Sequence, residues 1–231
     1  MAQTAGLLPF SSLLSWLPEY RKGLSLRDTS IDLIKKIISY DTTSRNSNLE
    51  LIHFIRDYLK DLGIESLLVH DDAGTKANLY ATLGPADRPG ILLSGHTDVV
   101  PIDGQDWHTD PFNVVEKDAK LFGRGTCDMK SFVAICLAYA PKFLERGLKI
   151  PIHFAFSHDE EVGCIGVRTL IAKLANEIQP KPMMCIVGEP TLMQVIIGHK
   201  GKMSYQCHVR GLEAHSSSVS YTHLRAHETV S

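Results

Sequence analysis

A histidine and a carboxylate two residues apart, His96 and Asp98, close the run Ser94-Gly95-His96-Thr97-Asp98, directly after the apolar stretch Gly90-Ile91-Leu92-Leu93. At the end of a buried strand such a pair has the chemistry of a metal ligand, because one ring nitrogen binds the cation while a carboxylate orients the ring from behind. Taken alone, the pair fits a buried hydrogen-bonded couple equally well. Three further acidic positions shift the balance: Asp128, the adjacent Glu160 and Glu161, and Glu189 each fall where a strand gives way to a loop or a helix begins. Carboxylates and imidazole without thiolates suit Zn²⁺ or a similar divalent ion. Two such ions sharing one carboxylate, about 3.5–4 Å apart, polarise a carbonyl and make water acidic enough to attack it near neutral pH. Glu160 and Glu161 invite a division of labour, since neighbouring side chains in an extended segment point opposite ways: one binds metal and the other serves as general base. Spacing leaves open which does which.

The elements that must bring these residues together are legible as periodicities. Ile31, Ile34, Ile37 and Ile38 recur at helical spacing after Ser30, which reads as the N-cap. Ile52, Ile55 and Leu59 follow Asn48 and stop at Gly63, a natural residue just past a helix end. Strands are expected over 64–69, 78–83 and 91–94, then a helix over 129–144 that Pro141 should kink or end, a strand over 152–156, a helix over 167–174 and a strand over 183–187. This alternation predicts an α/β fold, a mostly parallel or mixed sheet flanked by helices, with the acidic clusters at one sheet edge. After Glu189 the texture changes, and 194–198 and 202–211 read as antiparallel strands of another layer. The expected organisation is a catalytic domain over 1–193, the first strands of an α+β lid or dimerisation domain over 194–218, and a foreign tail over 219–231.

Composition narrows the partners. A formal charge of -2 with no Lys/Arg block gives no reason to expect nucleic acid or a membrane surface, so a small molecule is the expected partner. Cys127, Cys136, Cys164, Cys185 and Cys207 are scattered and odd in number, which argues against a disulfide framework and fits a reducing cytoplasm. The apolar residues 6–17 lack a preceding basic region and are interrupted by Pro9, so they read as a short packing segment. Most other histidines, His53, His70, His108, His153 and His208, read as surface or structural residues; His158 and His199 lie close enough to the acidic motifs to line a cleft. Cys127, beside Asp128, reads as a small packed residue, since hydrolysis by an activated water needs no thiol.

Six motifs occur in order: Ser-Gly-His-Thr-Asp-Val-Val-Pro (94–101), Asp-Gly-Gln-Asp-Trp (103–107), Asp-Pro-Phe (110–112), Gly-Arg-Gly-Thr-Cys-Asp-Met-Lys (123–130), Asp-Glu-Glu-Val-Gly-Cys (159–164) and Val-Gly-Glu-Pro-Thr (187–191). Together they resemble the dinuclear-zinc M20 amidohydrolases, and within that family the acetylornithine deacetylase group more than the succinyl-diaminopimelate desuccinylases or aminoacylases. The resemblance implies His96, Asp128, Glu161 and Glu189 as ligands to two ions, Zn²⁺ first and Co²⁺ as alternative, with Asp128 bridging and preceding Met129 across a cis peptide. It implies Glu160 as general base, Asp98 behind His96, and His215 as a lid residue stabilising the oxyanion, in a homodimeric full-length protein. The implied reaction is hydrolysis of N2-acetyl-L-ornithine to L-ornithine and acetate.

One part of the pattern has no counterpart. The resemblance implies a last histidine ligand to the second ion far beyond residue 231, and neither His223 nor His227 stands in a setting that would replace it. The expectation is that these 231 residues alone are inactive.

Overall fold

The helical and strand periodicities are realised in a computed structural model that describes residues 25–198, 200, 201, 203 and 205–208. Helix α1, Leu26–Ile38, starts earlier than the isoleucine spacing suggests: Ser25 is the N-cap, its hydroxyl accepting from Asp28 N at 3.1 Å. Ser30, expected there, lies inside the helix with its hydroxyl turned back to Leu26 O at 2.8 Å. Helix α2, Leu49–Asp61, does follow Asn48, and Gly63 takes the left-handed conformation (φ 78°) just beyond it.

Strands β1 (Ser66–His70), β2 (Ala77–Leu83) and β3 (Ile91–His96) come next. A short hairpin follows, β4 (Val115–Lys117) and β5 (Lys120–Phe122), turning through Asp118 and Ala119 with both φ values positive. No glycine marks that turn, so the usual sequence signal for a two-residue hairpin is missing. Helix α3 (Lys130–Glu145), strand β6 (Ile152–Ser157), helix α4 (Val167–Glu177) and strand β7 (Met184–Val187) complete the order.

Pro141 neither ends nor replaces the expected helix; α3 continues past it to Glu145. Proline lacks the N–H that would bond Leu137 O one turn earlier, and Tyr58 of α2 donates its hydroxyl to that carbonyl at 3.2 Å. A tertiary hydrogen bond thus replaces the missing helical one.

The five-stranded sheet has the order β1-β2-β6-β3-β7, antiparallel at β1/β2 and β2/β6 and parallel at β6/β3 and β3/β7. It is the mixed member of the expected pair of sheet types. Alternation sorts its two faces. Leu79, Ala81, Leu83, Leu93, Phe154 and Phe156 pack with α1, α2 and α3 in the main core, while Tyr80, Leu92 and Ala155 pack with Leu170 and Leu174 of α4. Complete burial of side chains such as Phe154, Phe156 and Leu79 contributes about 1.5–3 kcal/mol each. Because β6, β3 and β7 run parallel, the residues that follow them emerge at the same edge of the sheet.

The chain divides into two units between Met193 and Gln194. The described residues of the second unit carry no helix or strand, so the antiparallel strands expected over 194–198 and 202–211 are absent wherever that stretch is described. His199, His215 and residues 219–231 lie outside the described residues.

Candidate metal centre

His96 is the last residue of β3, and its ring is 2% exposed. Nδ1 lies 2.9 Å from the Asp98 main-chain carbonyl and 3.5 Å from Asp98 Oδ1. A carbonyl only accepts, so Nδ1 carries a proton donated inward and Nε2 faces the acidic cluster. Around Nε2 lie Asp128 Oδ1 at 3.0 Å, Glu189 Oε1 at 3.7 Å and Glu160 Oε2 at 3.9 Å. Donors sharing a tetrahedral ion at about 2.0–2.2 Å stand about 3.3–3.6 Å apart, so these separations need only small adjustment to close on a cation.

Each carboxylate arrives by a different route. Asp128 sits before the N-terminus of α3, where the helix dipole favours a negative charge, and the Asp128–Met129 peptide is cis. Glu160 and Glu161 lie in the turn after β6, and Glu189 follows β7. Gly188 and Gly95 permit this close packing: a Cβ on Gly188 would overlap the Phe132 ring of α3, and one on Gly95 would stand 3.0 Å from Met129 Cε. Two groups have donor atoms close enough together to share a cation, His96 with Asp128 and Glu189, and His96 with Glu160 and Glu161. Asp128 and Glu161 also line a cavity of about 180 Å³ with Arg124, Thr126 and Cys127.

Asp98 does more than sit behind the imidazole. Its carboxylate accepts from Ser44 Oγ at 2.7 Å and from the main-chain N–H groups of Glu160 (3.0 Å) and Glu161 (3.2 Å). One side chain therefore ties the end of β3 to the turn carrying both glutamates. Thr97 adds a parallel tie: its N–H and its hydroxyl both donate to Ser157 O at 2.8 Å, and Asn48 Nδ2 donates to Thr97 Oγ1 at 3.0 Å.

The electrostatics are those of clustered, partly buried carboxylates around one imidazole. Burial raises the pKa of Glu161, and the charge of Asp128 adds to it; burial likewise raises Glu189 against the opposing pull of His96, with Asp128 and Glu160 adding to the rise. Burial opposes charge on His96, but the hydrogen bond and charge of Asp98, with the charge of Glu189, bring its pKa up to about 9. Asp98 is held low: burial works against its charge, and the hydrogen bonds from His96, Ser44 and the Glu160 N–H overcome it. Hard oxygen donors that repel one another around a single imidazole fit a divalent cation.

The structure thus brings His96, Asp98, Asp128, Glu160, Glu161 and Glu189 to one sheet edge. Of the expected cleft residues, His158 is buried 4% exposed beside Asp159, its Nδ1 3.0 Å from Asp159 Oδ2, so it supports the turn from inside. His153 is buried against Tyr80, whose hydroxyl lies 2.8 Å from its Nδ1, as a structural histidine would be. Cys164, which carried no expectation of a role, donates to Glu160 Oε1 at 3.4 Å. Ser44, Lys76 and Asp159, also in contact with this machinery, give no signal in the sequence beyond the proximity of Asp159 to the glutamates.

Comparison with known proteins places these residues in context. Residues 92–229 match the model of peptidase family M20/M25/M40. An acetylornithine deacetylase of Proteus mirabilis is 38% identical over 82% of this chain and 49% of its own length, and one of Shigella sonnei is 39% identical over 74% and 44%. The chain therefore spans about half the length of the curated relatives it matches. Among solved structures, human carnosine dipeptidase 1 superposes with a TM-score of 0.60 at 23% identity, covering 78% of this chain and 41% of that one. The M20 family metallo-carboxypeptidase Sso-CP2 of Sulfolobus solfataricus does so with 0.61 at 20% identity, covering 69% and 37%. At these identities the structural likeness speaks for the fold.

Proposed function

The chain belongs to peptidase family M20/M25/M40, and from that premise we propose that it is the metal-binding part of an amide hydrolase acting on N2-acetyl-L-ornithine. The observation that carries the reading is the convergence of His96, Asp128, Glu161 and Glu189 with Glu160 at the carboxyl edge of β6, β3 and β7. The substrate reading is supported by the relatives named acetylornithine deacetylase at 35–39% identity and by the motif detail around Asp159 and Glu189.

In this proposal His96, Asp128 and Glu189 would hold one divalent ion, Zn²⁺ or Co²⁺, and Asp128 and Glu161 would contribute to holding a second. When bound, such a pair supplies Lewis acidity toward an amide carbonyl and lowers the pKa of water. The chain's own residues do the rest. His96 presents Nε2 because its Nδ1 proton is committed to Asp98 O. Glu160, its side chain 37% exposed, accepts the proton of the attacking water and returns it to the departing amine nitrogen. The C–N bond breaks, the acetyl carbon gains the water oxygen, and amine and acetate leave. Asp98, through the Glu160 N–H, keeps that carboxylate at the mouth of the cluster.

Steady-state hydrolysis by the full-length protein tests the substrate: N2-acetyl-L-ornithine should be turned over far faster than N-succinyl-diaminopimelate, and the reverse preference would make the protein a desuccinylase. Glu160→Gln should lower kcat by about 10²–10⁴-fold while metal content stays at the wild-type value. Retention of full kcat in that variant would remove Glu160 from the role of base.

A further inference from the structure

Glu160 and Glu161 are consecutive, so the turn that carries them fixes both at once. It begins at Asp159, a non-glycine residue at φ 56°, in the left-handed region that few L residues adopt and aspartate adopts more readily than most. Main-chain bonds secure the far half: Gly163 N and Cys164 N donate to Glu160 O at 2.9 Å, and Ile165 N donates to Asp159 O at 3.1 Å. The near half is secured by side chains. Asp159, its side chain 10% exposed, lies between Lys76 Nζ (2.5 Å to Oδ1) and His158 Nδ1 (3.0 Å to Oδ2).

Lys76, itself 15% exposed, uses the same ammonium to donate to Ser44 O at 2.5 Å. Ser44 in turn donates its hydroxyl to Asp98, and Asp98 accepts from the N–H groups of Glu160 and Glu161. The contacts therefore close on themselves, from Lys76 through Asp159 and the two glutamates to Asp98, Ser44 and back. We infer that Lys76 is a positioning residue for Glu160 and Glu161: its ammonium joins Asp159 to the Ser44 carbonyl and closes a ring of polar contacts around the turn that bears both glutamates.

An exposed ion pair would contribute little, but here both partners are largely buried, so removing the lysine leaves the carboxylate that starts the turn with only His158 as its side-chain partner, its Oδ1 no longer matched by a cation. The consequence is selective. His96, Asp128 and Glu189 reach the cluster from β3, α3 and β7, whereas Glu160 and Glu161 depend on this turn. The inference rests on the roles proposed above for the two glutamates, and its test separates the two ideas.

Co²⁺ is titrated calorimetrically into the metal-free full-length protein and into its Lys76→Met, Lys76→Arg and Asp159→Asn variants, alongside kinetics on N2-acetyl-L-ornithine. Lys76→Met and Asp159→Asn should weaken one of the two binding events by about 10–100-fold, leave the other within about threefold, and lower kcat by a similar factor with KM little changed, as loss of a residue supporting a ligand does. Lys76→Arg, which keeps the charge, should recover most of both. Wild-type binding and kcat in Lys76→Met would overturn the inference. So would equal weakening of both events with a lowered unfolding midpoint, which marks a merely structural lysine. If the wild-type protein hydrolyses neither acetylated nor succinylated substrate, the functional reading fails while the selective metal effect still decides the role of Lys76.

Discussion

At the scale of the residue, the informative feature is that Asp98 acts through four partners. A carboxylate two residues from a histidine was expected to orient the ring, yet the closer contact to Nδ1 comes from the Asp98 carbonyl, and the carboxylate spends its remaining capacity on Ser44, Glu160 and Glu161. The couple has a pH signature in the metal-free protein. His96 carries a pKa raised from 6.5 to about 9, so its contribution to stability is fully present below pH 6.5 and is lost as pH rises through about 9. Lys130, buried with its ammonium on Tyr40 O and Thr42 Oγ1, has a pKa lowered by burial to about 7 and works in the opposite sense over an overlapping range. Comparison with His96→Gln cancels the lysine, which both proteins share. The stability difference between wild type and variant, measured by urea unfolding without metal, should shrink from pH 6.5 to 9; a gap that widens over that range would contradict the assignment.

At the scale of the element, polar residues at helix ends and breaks are used for tertiary bonds. Asn48 stands at the N-cap position of α2 but makes no cap bond; its side-chain amide donates to Ala77 O at 2.9 Å and accepts from Ala77 N at 3.0 Å, pinning the helix start to β2. Tyr58 answers the carbonyl that Pro141 leaves open. Tyr58→Phe keeps the ring and its packing while orphaning Leu137 O, so it should cost about 1–3 kcal/mol of unfolding free energy, as removal of one partner from a buried acceptor does. Chemical denaturation measures this, and an unchanged midpoint would mean that Pro141 is accommodated some other way. These are the places where propensity misleads: Ser30 and Pro141 carry strong local signals, and packing of α1 against α3 and of α3 against the sheet overrides both.

At the scale of the whole molecule, one sheet edge gathers the acidic groups, and burial first, then the neighbouring carboxylates, raise the pKa values of Glu161 and Glu189 there. Metal binding should therefore stabilise the fold: a chelator should lower the thermal unfolding midpoint and added Zn²⁺ should restore it, with about 2.7 kcal/mol gained at a metal concentration a hundredfold above Kd. A midpoint indifferent to chelator would argue that the cluster is simply a solvated acidic edge. Among the described residues no helix is long and apolar enough to cross a membrane. Much of this architecture was legible beforehand. Alternating β and α periods predicted the sheet and its flanking helices, and the acidic residues were found because each sits at the end of an element whose period is local. What the sequence could not express is which distant groups meet: Ser44 with Asp98 across 54 residues, Asp98 with Glu160 across 62, Lys76 with Asp159 across 83. The β4–β5 hairpin was likewise hidden, because its turn takes positive φ at Asp118 and Ala119 with no glycine to announce it. By itself, then, the sequence determined the chemistry of the candidate ligands and the elements that carry them, since both are set by side-chain type and short-range periodicity. Only the tertiary structure decided how those ligands are held, because hydrogen-bond partners are chosen by the packing of segments that share no local pattern.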